Sequence, residues 1–72
     1  MDGRTRYNKI RKVLEPIVGK ELHMDKIRRR IMIDIGSSEE VVRDCIRLMI
    51  DLGLIVETKA FVFKIVRSEA KI

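Results

Sequence analysis

The chain has 72 residues and a mass of 8.4 kDa, a length that allows one small hydrophobic core and excludes a multidomain enzyme. Hydrophobic residues make up 46% of it, so a core can be filled and disorder is not expected. The net charge of +5 favours anionic partners, such as nucleic acid or an acidic protein or membrane surface. The single cysteine, Cys45, excludes an internal disulfide.

Several broader properties follow from the same composition. No secretory signal opens the chain and no apolar run approaches the roughly 18 residues that span a bilayer, so a cytoplasmic protein is expected. Abundant Ile, Lys, Arg and Glu, with no Gln, fit either a thermophilic source or an AT-rich genome. Residues 1–36 hold ten basic and five acidic side chains, whereas residues 37–72 hold six of each. The first half therefore supplies the excess positive charge.

The first predicted element is a helix with one apolar face. Its apolar residues recur at three- and four-residue spacing, and basic residues fill the remaining positions. Pro16 lacks a backbone donor and predicts a kink or break, and Gly19 predicts the end of the element. The inward set is Tyr7, Ile10, Val13, Leu14, Ile17 and Val18.

A short strand and a second helix come next. Leu22 and Met24 alternate with polar neighbours, which suits a strand of two or three residues. Asp25 is predicted to cap a helix over about residues 26–35, which Gly36 ends. Its core positions are Ile27, Ile31 and Ile35, and it carries the run Arg28-Arg29-Arg30.

The third helix is predicted from Ser37 or Ser38 to Leu52, with Gly53 as its stop. Ser37 and Glu40 have the spacing of a capping box. The predicted inward face is wide, because Leu48 and Ile50 extend the apolar arc well beyond the ~100° that a surface helix needs. The other inward positions are Val41, Val42, Cys45, Ile46, Met49 and Leu52.

After Gly53 the pattern changes from helical to alternating. Residues 54–58 and 60–67 are predicted to be two strands of a hairpin that turns around Thr58-Lys59-Ala60. Phe61, Phe63 and Ile65 share one face, and we expect both phenylalanines in the core.

The stretch IGSSEEVVRDCIRLMIDLGLIVE, residues 35–57, resembles the turn and recognition helix of the winged helix-turn-helix family. Gly36 falls at the turn glycine, Ser38 at the polar start of the recognition helix, and Gly53-Leu54-Ile55 at the junction with the wing. The resemblance implies one α+β domain over residues 1–72, with three helices, a small antiparallel sheet and a C-terminal β-hairpin wing. It also implies a sequence-specific double-stranded DNA-binding protein, a regulator of transcription. Helix 38–52 would enter the major groove and wing 54–67 would lie on the backbone.

Two features depart from the family pattern. Four of the six outward positions of the third helix are acidic, and carboxylates repel phosphates. The distance from Ile27 to Gly36 is about one helical turn longer than is usual in the family, and the added turn is the arginine run. The six outward positions are Glu39, Glu40, Arg43, Asp44, Arg47 and Asp51.

Cations and one hydroxyl are expected to carry DNA binding. Helix two and the wing would anchor phosphates, while the third helix would read bases. Each group has a plainer interpretation: helical ion pairs for the third-helix arginines, solubility for the arginine run, and edge protection for the wing. A solvated face is favoured for the basic residues of the first helix. The predicted DNA-binding residues are Arg28, Arg29, Arg30, Ser38, Arg43, Arg47, Lys59 and Lys64.

Leu48 and Ile50 are apolar where the family is usually polar. They predict the interface of a homodimer, which would present paired recognition helices to DNA, or else extra core burial. Together with the acidic helix face they also favour an alternative function, that of a winged-helix protein–protein adaptor. Non-specific architectural or RNA binding is less well supported, because a base-stacking platform needs more exposed aromatic residues.

Catalysis is not expected. His23 is the only histidine and has no partner at metal-ligand spacing, and Cys45 is interpreted as a small core residue. No motif for a nucleophile or a phosphate-binding loop is present in the sequence. The sequence therefore predicts no enzyme activity, no metal or other cofactor, no membrane association and no small-molecule effector.

Overall fold

The computed structural model of the chain describes residues 3–69. Three helices and three antiparallel strands give an α+β fold, and their order is compatible with a winged-helix topology. The predicted order of helix, short strand, helix, helix and hairpin is confirmed. The elements are α1 (Gly3–Leu14), a 3-10 turn (Glu15–Ile17), β1 (Glu21–His23), α2 (Met24–Asp34), α3 (Glu39–Asp51), β2 (Ile55–Lys59) and β3 (Val62–Ile65).

Helix α1 ends where the proline predicted a break. Pro16 lies inside the 3-10 turn, where its missing N–H interrupts the helical ladder. Gly19 follows with a φ of +90° and leads the chain into β1. Ile17 is buried, but Val18 is 45% exposed, so the prediction that Val18 faces inward was wrong. The tighter 3-10 turn shifts the residues after Leu14 away from the α-helical phase.

Helix α2 begins two residues earlier than its predicted first residue. His23 is the N-cap, and its Nδ1 accepts a hydrogen bond from the Asp25 amide at 3.1 Å. The predicted Asp25 cap was therefore wrong. The Met24 amide donates to the Phe61 carbonyl oxygen at 2.7 Å, so the start of α2 is joined to the hairpin turn.

Helix α3 begins at Glu39 because Ser38 caps it. The Ser38 Oγ accepts a hydrogen bond from the Val41 amide at 3.1 Å. The predicted capping box between Ser37 and Glu40 was wrong, because the cap lies one residue later. Gly53, with a φ of +72°, ends the helix as predicted, in a backbone region that favours glycine.

The sheet has the strand order β1-β3-β2, so β3 is central. Glu21 pairs with Lys64 across β1 and β3, and Val56 pairs with Lys64 across β2 and β3. The β2–β3 register shifts between Glu57 and Lys59, which leaves Thr58 as an extra residue in β2. The predicted turn around residues 58–60 was wrong, because the turn occupies residues 60 and 61. Strand β2 keeps the predicted length of five residues but lies one residue later than 54–58, and β3 is shorter than the predicted 60–67.

One cluster of buried apolar residues joins all three helices to one face of the sheet. The predicted core of the helices is largely confirmed, with Leu48 and Ile46 partly buried around it. Phe63 is buried, whereas Phe61 is 62% exposed, so the expectation that both phenylalanines lie in the core was wrong. The cluster consists of Ile10, Val13, Leu14, Ile17, Ile27, Ile31, Val42, Cys45, Met49, Leu54, Ile55, Phe63 and Ile65.

Candidate nucleic-acid interface

An open groove of about 200 Å³ lies between the start of α2 and the exposed side of α3. Arg28 from α2 and Arg43 from α3 both line it, although they are 15 positions apart in the chain. Arg43 is exposed and Arg28 is half-buried. Glu39 also lines the groove. Two of the predicted DNA-binding residues thus belong to one surface.

The acidic residues of α3 are not spread evenly around the helix. Asp44 faces α1, where its Oδ2 lies 3.6 Å from Arg6 Nη1. A second groove, of about 310 Å³, lies between α1 and α3, and both Asp44 and Asp51 line it. At 100° per residue, Asp44 lies about 100° around the helix from Arg43. The acidic outward face of α3 was the first departure from the family pattern. Because Arg6 of α1 pairs with Asp44, part of that negative charge is neutralised.

Arg47 lies between these two sides of α3. It lines the groove next to α1 together with Arg6 and Leu48, and it is about 40° around the helix from Arg43. Its side chain is exposed.

The predicted ion pairs along α3 do not form within residues 3–69. Arg43 and Arg47 have no carboxylate within salt-bridge distance there, although Glu39, Glu40, Asp44 and Asp51 have suitable spacing. The ion pairs of the described residues join Arg6 to Asp44 and Arg11 to Glu69. The guanidinium groups of Arg43 and Arg47 are therefore available to an external anion.

The arginine run does not act as one surface. Successive residues of a helix are about 100° apart, so Arg28 and Arg30 point to opposite sides of α2. Arg29 is exposed and Arg30 is half-buried. Of the three, Arg28 is the one that lines the groove with Arg43.

Ser38 has a structural role at the start of α3, one residue before Glu39. Its Oγ accepts the hydrogen bond that caps α3, which uses one of its lone pairs. The hydroxyl hydrogen remains a donor, and the side chain is exposed. Ser38 can therefore still donate a hydrogen bond to a base or phosphate while it caps the helix.

The two wing lysines are exposed at different places on the sheet. Lys59 ends the outer strand β2 next to the turn, and Lys64 lies in the central strand opposite Glu21. The turn is joined to the groove through the hydrogen bond from the Met24 amide to Phe61, because Met24 also lines the groove. The wing tip and the groove are thus neighbours.

Sequence reasoning missed Phe61 as a surface residue. Among residues 3–69 it is the one non-glycine residue with a positive φ, at 63°, and its ring centroid lies 6.4 Å from that of His23. Its amide donates to Glu57 Oε2 at 3.2 Å. The signal was present in the sequence: a two-residue turn needs a left-handed residue, and no Gly or Asn lies between the strands.

Phe61→Gly is expected to stabilise the chain by about 0.5–1 kcal/mol. Glycine adopts a left-handed conformation without the steric cost of roughly 1–2 kcal/mol that an L side chain incurs, although it also has more freedom when unfolded. Urea denaturation measures the change. The matched control is Ala60→Gly, which removes no strain and is expected to be destabilising. If Phe61→Gly lowers stability as much as the control does, ring packing on His23 outweighs the backbone strain.

Leu48 and Ile50 do not form one patch. Residues two positions apart in a helix are rotated by about 200° around its axis, so these two side chains leave α3 on nearly opposite sides. Leu48 is half-buried in the groove next to α1, and Ile50 is 45% exposed. A dimer interface on α3 would therefore include one of them and not both.

The remaining features concern the Cys45 thiol, metal ligands and membrane-spanning helices. Burial raises the pKa of the Cys45 thiol, and the charge of Arg6 opposes this only in part. The raised pKa keeps the sulfur protonated and unreactive. In residues 3–69 no group of three or more His, Cys, Asp or Glu side chains is placed to hold a metal ion. No helix in that range has the length and hydrophobicity needed to cross a membrane.

Comparison with models of known protein families, with curated proteins and with solved structures found no match to this chain. The fold is therefore characterised by its own elements, an α+β arrangement of three helices and a three-stranded antiparallel sheet. Its order is compatible with a winged helix. The functional assignment depends on the chemistry of the groove between α2 and α3.

Proposed function

We propose that this chain is a sequence-specific double-stranded DNA-binding protein of winged-helix type that regulates transcription. The observation that carries the proposal is the pair Arg28 and Arg43. They line one open groove from two helices, and neither has an ion-pair partner in residues 3–69. Cations held together without internal partners suit the phosphates and guanine edges of a duplex.

The roles within this interface follow from position. Helix α3 lies in the major groove, where Arg43 and Arg47 contact base edges and Ser38 donates from the start of the helix. Arg28 and the wing lysines Lys59 and Lys64 contact phosphates and hold the helix in register. Arg29 and Arg30 face other directions and contribute mainly to the surrounding field.

The distribution of acid supports this orientation. The pair between Arg6 and Asp44 turns one carboxylate toward α1 and lowers the repulsion that it exerts on a phosphate backbone. Asp51 lies on that same side of α3. The groove side retains Glu39, whose carboxylate can accept a hydrogen bond from a cytosine amino group.

Regulation would work by occupancy of a DNA site. A homodimer is part of the proposal, because a two-fold pair presents two recognition helices to two half-sites.

Binding of the purified chain to a random-sequence duplex, from about 50 to about 300 mM salt, tests the proposal. Each phosphate contact contributes about −0.9 to the slope of log affinity against log salt, so a slope of roughly −3 or steeper is expected from Arg28, Lys59 and Lys64 together. No binding at the lowest salt concentration would overturn DNA as the main partner.

A protein–protein adaptor is the second candidate function. Exposed apolar side chains favour it: Ile33 is 75% exposed on α2 and Phe61 is 62% exposed at the wing. Isolated exposed apolar residues are common on surfaces, which makes this the weaker candidate. It predicts no duplex binding at low salt, combined with a partner protein whose binding is lost in an Ile33→Asp or Phe61→Asp variant.

A further inference from the structure

Ile50 is an exposed apolar residue on the side of α3 that holds Arg43. The two are seven positions apart, which brings them within about 20° of one line along the helix. Ile50 is 45% exposed. The acidic residues turned toward α1 lie elsewhere, Asp51 about 100° and Asp44 about 120° around the helix from it.

The orientation of Ile50 on α3 limits which surfaces its side chain can contact. It is separated by about 160° from Leu48, which packs against the core near α1. The core residues Cys45 and Met49 leave the helix about 140° and 100° from Ile50. Ile46, about 40° around the helix from Ile50, packs against the core. Ile50 itself keeps 45% of its surface exposed, and this exposed part faces whatever α3 contacts.

The chemistry of a major groove offers one matching group. Base edges there present hydrogen-bond donors and acceptors, and the thymine C5-methyl is the apolar feature. We propose that Ile50 reads a thymine methyl group and so sets part of the sequence preference. The inference rests on the proposed DNA-binding function.

The spacing along α3 places this thymine relative to the Arg43 contact. Seven residues of helix rise about 10 Å, which corresponds to roughly three base-pair steps of 3.4 Å. The recognised site therefore holds a thymine about three steps from the position that Arg43 contacts. Arg43 and Arg47, both earlier in α3, contact the neighbouring base edges in this arrangement.

Replacing thymine by 2′-deoxyuridine removes only the methyl group and leaves base pairing intact, so it tests the contact directly. A preferred duplex is first selected from a random pool. Each thymine is then replaced singly, and dissociation constants are measured for the parent chain, Ile50→Ala and the control Ile33→Ala. Ile33 is a suitable control because it is an equally large, more exposed residue on α2.

At one thymine the parent chain is expected to lose about fourfold in affinity, the factor for one buried methyl group. Ile50→Ala should bind thymine and deoxyuridine equally at that position, and Ile33→Ala should keep the parent ratio. The inference is overturned if Ile50→Ala keeps the parent ratio at every thymine, or if no replacement weakens the parent chain. If no duplex binds at all, the proposed function itself fails, which is a distinct result.

Discussion

Arg28→Ala/Arg43→Ala is expected to bind a random-sequence duplex at least roughly 30-fold more weakly than the parent chain. Each lost contact to a phosphate or guanine is worth about 1–3 kcal/mol, and about 1.4 kcal/mol is tenfold in affinity. Both residues line the groove between α2 and α3 and have no ion-pair partner in residues 3–69. Their loss should therefore remove external contacts without breaking internal ones.

The salt dependence separates contact from general attraction. If both arginines contact phosphates, the log–log slope of the double variant should become shallower by about 2. If Arg43 contacts only a base edge, the slope should change by about 1 while the affinity falls by the same factor. Fluorescence anisotropy across a salt series gives both quantities.

Lys9→Ala/Lys12→Ala is the matched control for this experiment. It removes the same two charges from the groove between α1 and the end of α2, which Asp34 also lines. We expect a small loss of affinity, because a distant charge acts only through the screened field. If the control loses as much affinity as the groove variant, the net charge of the chain drives binding and the groove has no special role.

The helices and the order of the elements could be predicted from the sequence because their signals are local. Pro16 breaks α1, and Gly53 ends α3 with a positive φ. The periodicity that predicted Ile27 and Ile31 as core positions is a property of one helix alone, and both are buried. Such features need no knowledge of what packs against them.

The wrong predictions concern positions whose structure depends on a second helix or strand. His23 caps α2 at a position where the Met24 amide is held by Phe61, a residue 37 positions later in the chain. The bulge at Thr58 moves the hairpin turn toward the C-terminus and turns Phe61 out of the core. Alternation along one strand cannot reveal a bulge, because the extra residue depends on how the partner strand pairs.

The residues of the candidate interface could be predicted from the sequence, but their arrangement in space could not. Arg28 and Arg43 were both singled out as cations, but only the packing of α2 on α3 shows that they share a groove. The acidic positions of α3 could not be sorted from the sequence, because the pair between Arg6 and Asp44 joins residues 38 positions apart. Local spacing suggested ion pairs within α3, and the structure instead uses a partner from α1.

Ile31→Ala is expected to destabilise the chain by about 2–5 kcal/mol, the range for removing a fully buried isoleucine. Ile31 has no exposed surface and lies in the cluster that joins α2 to the rest of the core. A core in a chain of this size rarely supplies more than about 3–5 kcal/mol, so the variant should retain only a small part of the parent chain's stability or none of it. Circular dichroism with urea denaturation at 25 °C measures this effect.

Ile33→Ala makes the same chemical change two residues later on the same helix. Ile33 is 75% exposed, so little buried contact is lost, and alanine is the better helix former. We expect a change within about 0.5 kcal/mol. Similar losses at Ile31 and Ile33 would mean that α2 does not bury the face assigned here. In that case Arg28, which α2 holds beside Arg43, would not lie in the groove, and the proposed DNA interface would fail together with the packing that forms it.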